Sequence, residues 1–233
     1  MLLRVGIDKG TDGALGPLFE DGSFEYITIS ENPKWQTTST KTYSNTIGRT
    51  GRPLSCYLPD SIWTRLLHYD PEFETFTYGD DTPKREYLLK LQPDDLLVFY
   101  AGLAPFNTDR QRTGLYIIGY FTIKEIVDFD RLLPEEIRQY QLLYGRNAHL
   151  KANRTEGLVI AAGQPNTSAL LNHAILISET IPDKRGRPNM VVSQRMETLL
   201  GIHGSIQRSL PPRFIVGKKH TDSLRRLILF EGL

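Results

Sequence analysis

Cysteine is nearly missing from this chain: Cys56 stands alone among 233 residues. One cysteine excludes an internal disulfide framework and a cysteine-rich zinc site. It fits a reducing compartment, and a cytoplasmic location is expected. Long apolar runs are missing too. No stretch approaches the ~20 apolar residues of a membrane helix, so no membrane partner is expected. The start, Met1-Leu2-Leu3-Arg4-Val5-Gly6, lacks the basic-then-apolar pattern of a signal peptide. Charge of one sign is missing as well, with a formal net charge of +1, so bulk charge gives no sign of nucleic acid. Internal repeats and low-complexity tracts are absent.

What is present is ordinary globular composition, 39% hydrophobic and 24% charged. That argues against disorder. The length suits one large domain, 1–233, although a linker near 163–167 is conceivable. Charge is unevenly spread. Residues 60–95 hold nine acidic and four basic side chains, a net of −5. Residues 181–233 hold ten basic and four acidic, a net of +6. A basic carboxy-terminal surface can meet phosphates or simply stay solvated.

The pattern along the chain predicts strands at 2–7, 96–100, 115–127 and 158–162. Each is apolar and bounded by turn residues. Helices are predicted from Pro59, over 84–90, 134–144, 168–173 and 193–200, and over 222–230. Asp21-Gly22 reads as a hairpin turn. Residues 31–46 and 70–81 read as loops, and 101–114 as the connection between two strands. The expected class is α+β: a mixed β-sheet or partly closed barrel with flanking helices.

Four clusters can carry chemistry. Asp8-Lys9-Gly10-Thr11-Asp12-Gly13 follows the first strand. Its glycines let backbone approach a ligand, and Asp8, Lys9 and Asp12 supply carboxylates and an ammonium. The spacing is neither a P-loop nor a dinucleotide fingerprint. Asp side chains bonding their own turn explain the pattern equally well. His68-Tyr69-Asp70-Pro71, with Tyr78-Gly79-Asp80-Asp81 behind it, offers His68 and Asp70 as a base and its orienter, or as ligands of Mg²⁺ or Mn²⁺. A cap or surface histidine is the plainer reading. Tyr100 and Gly102, with Tyr120 on the next strand, suggest an aromatic cleft for a flat base, against plain sheet core. Gln207, Arg208 and Arg213 form the best anion-binding candidate, against a solubilising loop. No nucleophile elbow, His-Glu-x-x-His or Cys-x-x-Cys occurs, and no particular cofactor is indicated.

The opening from Arg4 through Asp12 to Pro17, with Asp21-Gly22, resembles the nucleotide-modification-associated domain family, third type. The likeness continues through His68-Tyr69-Asp70-Pro71, Tyr78-Gly79-Asp80, Asp95–Leu103, Ile118–Phe121 and Gly204–Ser209. It implies a nucleic acid or nucleotide partner and work beside base-modifying enzymes, in DNA-modification, phage or defence settings. It implies a context and not a reaction. Pro93–Tyr100 with the following Ile-Ile-Gly-Tyr strand is similar to the core of PUA-like domains, small β-barrels whose EVE and ASCH groups read modified bases.

The favoured reading is a base- or nucleotide-binding protein that stacks its ligand at Tyr100, Gly102 and Tyr120 and holds phosphate at Arg208 and Arg213. A stacking module needs no metal, and no thermal response to Mg²⁺ or Mn²⁺ is expected. The alternative is an enzyme with Asp8, Lys9, Asp12, His68 and Asp70 on one cleft wall. A third is a structural subunit of a modification complex.

Overall fold

Two long strands dominate the computed structural model, which describes residues 1–10, 12–207 and 210–232. β4 (Leu96–Pro105) and β5 (Gly114–Asp128) pair antiparallel along most of β4. Their sequences are almost continuously apolar, as strands covered on both faces require. Leu97, Val98, Phe99, Ile117 and Phe121 are wholly buried.

The other strands add to the edges of this pair. β1 (Leu2–Arg4) and β2 (Gly16–Leu18) lie parallel to successive parts of β4. On the far side, β7 (Ala169–Leu176) pairs with the first half of β5 and β6 (Val159–Gly163) with the second. β3 (Thr77–Asp80) closes that edge, antiparallel to β6. The result is a mixed seven-stranded sheet. Register shifts at Phe99/Tyr100, Ile117/Gly119 and Ile123/Glu125 mark bulges or irregularities. Bulges raise the local twist and bend a strand, and here the sheet curls into a half-barrel. β8 (Ser178–Pro182) and β9 (Pro188–Val192) form a separate hairpin.

Helices are short: α1 (Arg85–Leu88), α2 (Pro134–Leu143), α3 (Ala148–Lys151), α4 (Gln194–Leu200) and α5 (Lys218–Leu227). The sheet core is aromatic at its centre, where Phe73, Phe99 and Phe121 meet with ring centroids 4.7–5.7 Å apart. A second apolar cluster, around Ile7, Ile27, Tyr43 and Leu67, packs the long loops.

The α+β class and the half-open sheet agree with the sequence pattern. Several elements differ. The first strand stops at Arg4, because Gly6 turns to φ +75° and Ile7 bonds to Ile27 instead. The segment from Pro59 makes only a 3-10 turn, Asp60–Ile62, before Leu66 and Leu67 bridge to Thr42 and Ser30. The predicted loop 70–81 contains β3. The predicted helix 168–173 is β7, whose pairing with β5 outweighs the helix propensity of Ala169-Leu170-Leu171. β4 runs on to Pro105, which shortens the expected connection. The last helix begins at Lys218, four residues early, and ends in a π turn over Ile228–Gly232.

Candidate functional site

Three separate segments bring two imidazoles and a carboxylate together. The first is 66–70. His68 N–H donates to Ile29 C=O at 3.0 Å, so the chain there runs extended beside 29–31. Asp70 N–H then turns back onto His68 C=O at 2.9 Å. This turn aims the Asp70 side chain at β3, where Gly79 N–H donates to both carboxylate oxygens, at 3.0 and 3.1 Å.

The second segment is β3 itself. Gly79 is a close-approach position: a Cβ there would lie 2.8 Å from His149 Cδ2 and 3.0 Å from Asn147 Oδ1. The third segment is α3. Asn147 caps it, its Oδ1 accepting from His149 N–H at 3.0 Å, as a short polar N-cap does. The Asn147 amide also donates to Asp70 Oδ1 at 3.0 Å. One side chain thus sets both the helix start and the carboxylate.

His149 Nε2 lies 3.8 Å from Asp70 Oδ2, and its Nδ1 lies 3.6 Å from Asp81 Oδ2. At 3.6 Å the latter is an ion pair rather than a hydrogen bond. His68 Nδ1 faces Glu31, 3.1 and 3.3 Å from its two oxygens. The two imidazoles meet edge to face, centroids 4.8 Å apart. One donor atom from each of His68, Asp70 and His149 falls within 4.8 Å of the others, and all three residues are buried.

Around this centre lies a cavity of about 200 Å³. Its walls include Arg4, Trp35, Tyr78, Asp80, Asp81 and Lys84. Trp35 stands beside both histidine rings, at 5.9 and 6.2 Å, with the Arg154 guanidinium 3.8 Å over its own ring. Arg154 also pairs with Asp81, Nε to Oδ2 at 2.9 Å. Tyr78 donates to Asp80 at 2.8 Å.

These placements shift the titrations. Burial pushes Asp70 up to about 8, with His149 pulling the other way. Burial alone would lower His149, but the carboxylates of Asp81 and Asp70 outweigh it and raise it. His149 and then Arg154 hold Asp81 well below the usual carboxylate range. His149 and Asp70 therefore act on each other electrostatically, across a 3.8 Å gap that is too long for a hydrogen bond.

The remaining sequence candidates lie elsewhere. Asp8 accepts from Gly10 N–H at 2.8 Å within its own turn, and Lys9 is exposed. Asp12 is buried, bonded to the Ser30 hydroxyl and 3.5 Å from Arg65. Asp8, Lys9 and Asp12 do not line the cavity that holds His68 and Asp70. Tyr100 is buried with its hydroxyl on Ile206 C=O at 2.9 Å. The space beside Gly102 is taken by Arg4 and Leu15, which a Cβ would meet at 2.6 and 2.8 Å. So the gap at Gly102 admits an arginine that reaches the cavity wall, and Tyr120 packs against the core as a partly buried residue. Gln207 donates to Asn189 at 2.7 Å, and Arg213 bonds His203 C=O. Arg208 lies outside the described residues.

Of the residues that meet here, sequence reasoning singled out His68 and Asp70 and not His149, Asn147, Glu31 or Trp35. The only local signal for His149 was the Asn147 cap two residues before it.

The fold and site together define an α+β protein with a buried two-histidine, one-aspartate centre beside a polar cavity. The model of nucleotide modification associated domain 3 matches residues 1–211, and the chain belongs to that family. Its association is with nucleotide-modification systems. No curated protein and no solved structure showed significant similarity to the chain. Among the described residues no helix is long and apolar enough to cross a membrane.

Proposed function

We propose that this chain is an enzyme of a nucleotide-modification system, acting on a nucleotide or modified base at the His68–Asp70–His149 cavity. The convergence of these three buried side chains carries the reading. Burying ionisable groups costs stability unless they are well paired, and strongly shifted titrations concentrate where chemistry is done. His68, Asp70 and His149 offer two imidazoles and a carboxylate to whatever occupies the cavity.

The cavity also fits part of a nucleotide. At about 200 Å³ it falls below the ~300–1,000 Å³ of pockets that enclose a drug-sized ligand. It takes one portion, a base or a phosphate, and leaves the rest outside. Arg4 and Lys84 on the wall suit phosphate oxygens. Trp35 and Tyr78 offer aromatic surface for a base. The carboxy-terminal side chains Gln207 and Arg213 bond Asn189 and His203 and do not line this cavity, which ranks a purely phosphate-reading module second.

The test uses Trp35 as reporter. The chain has two tryptophans, so Trp63→Phe leaves Trp35 alone. Ribo- and deoxyribonucleotides, free and in short oligonucleotides, are titrated against its fluorescence. Saturable quenching is expected, weakened several-fold by Lys84→Ala. Binding that leaves Trp35 unchanged and is abolished by Arg208→Ala with Arg213→Ala would overturn the assignment in favour of the carboxy-terminal surface, and so would no binding at all.

A further inference from the structure

We infer that His68, Asp70 and His149 form a binding site for one divalent first-row transition-metal ion. This deepens the proposed function, because the ion would sit where that reading places the reaction.

The ligand set comes first. Two imidazoles and one carboxylate suit iron, cobalt, manganese or zinc, whereas Mg²⁺ and Ca²⁺ prefer all-oxygen shells. Three protein ligands leave positions open, and here they would open onto the cavity. An ion that must meet a substrate needs such an arrangement, whereas structural zinc sites are closed by four protein ligands.

The surroundings of the ligands are an independent observation. Metal-bound histidines usually turn their other ring nitrogen to a carboxylate or carbonyl, which fixes the ring and its tautomer. Both histidines here do so. His68 Nδ1 faces Glu31 at 3.1 Å, and His149 Nδ1 faces Asp81 at 3.6 Å. The side chains of Glu31 and Asp81 are themselves only 3% and 7% exposed. Nε2 is thereby left as the ligand nitrogen on each ring. Asp70 is held in turn by Gly79 N–H and the Asn147 amide. His68 and Asp70 are held from behind by hydrogen-bond geometry, and His149 is oriented by the Asp81 carboxylate without a hydrogen bond, so the three donors converge from ordered positions.

The distances are close to a bound arrangement. Zn–N bonds of ~2.0–2.1 Å place neighbouring ligands about 3.4 Å apart in a tetrahedron. His149 Nε2 and Asp70 Oδ2 already stand at 3.8 Å. The widest separation, within 4.8 Å, closes by a small rotation of an imidazole.

The experiment uses tag-free full-length protein stripped with chelator. Zn²⁺, Co²⁺, Mn²⁺ and, without oxygen, Fe²⁺ are titrated by calorimetry, with Mg²⁺ alongside. One transition ion per chain is expected, with no measurable Mg²⁺ binding at the same concentration. X-ray absorption of the zinc-loaded wild type should show two imidazole ligands, a readout that needs no variant. His149→Ala should abolish stoichiometric binding, and Glu31→Gln should weaken it about 10–100-fold. No stoichiometric ion, a zinc shell without imidazole, or unchanged affinity in a folded His149→Ala variant would each overturn the site. Titrating nucleotides against Trp35 both in excess chelator and with the zinc-loaded protein separates the two proposals. Nucleotide binding without metal binding sinks the metal site alone, and metal binding without nucleotide binding sinks the substrate assignment alone.

Discussion

Asn147 gives the sharpest test of how the site is built. Its side chain is wholly buried and serves two masters. Oδ1 caps α3, and Nδ2 donates to Asp70. Alanine removes both. Loss of an N-cap costs about 1 kcal/mol. A hydrogen bond to a charged group contributes ~1.5–3 kcal/mol, against ~0.5–1.5 for a neutral one. Asn147→Ala should therefore destabilise by about 1.5–2.5 kcal/mol if Asp70 is protonated, and by about 2.5–4 if it is ionised. A mid-range loss of ~3 kcal/mol corresponds to about 6–12 °C in Tm for a chain of this size. Asn147→Asp keeps the cap but replaces the amide donor with a second carboxyl facing Asp70, so its loss at neutral pH should equal or exceed that of alanine. Urea unfolding of chelator-treated protein, compared at unchanged m-value, measures all three. A loss below ~1 kcal/mol for alanine, or an aspartate variant as stable as wild type, would refute the double role.

Gly79→Ala places a Cβ 2.8 Å from His149 Cδ2; overpacking of this kind costs ~1–3 kcal/mol, and a neutral result in urea unfolding would mean that His149 does not rest on β3. At alkaline pH, burial raises Tyr43 and Tyr78 above their usual range and Tyr69 to about 12. Their folded-state values exceed the unfolded one near 10, so the stability they contribute is complete below pH ~10 and is lost above it, by about 1.4 kcal/mol per pH unit for each phenol. Absorbance titration of the folded protein should leave these three among the 11 tyrosines un-ionised at pH ~11, and eleven tyrosines titrating together while the far-ultraviolet dichroism stays native would contradict their burial.

Local chemistry made part of the fold legible. The apolar runs 96–100 and 115–127 could only be buried strands, and Asp21-Gly22 had to turn; Phe19 and Ser23 close it, with Gly22 at φ +86°. Pro134 with Glu135 and Glu136 marked the start of α2 for the same local reason. The strand at 169–176 was illegible because Ala-Leu-Leu favours a helix in isolation, and only the open edge of β5 makes it extended. β3 was hidden likewise, since Thr-Tyr-Gly-Asp carries no alternation and depends on β6 for its partner.

The candidate site divides the same way. His68-Tyr69-Asp70 stands out in the sequence as a histidine and an aspartate two residues apart. Their burial, and the approach of Asp70 to His149 across the 78 residues that lie between them in the chain, are invisible there. By itself the sequence determined the class, the central strand pair and one half of the polar centre, because these depend on residues near one another along the chain. Only the tertiary structure decided that Asp8, Lys9 and Asp12 stay outside the cavity, that Arg4 occupies the space beside Gly102, and that His149 completes the centre. Each depends on contacts between distant segments, which spacing along a chain does not encode.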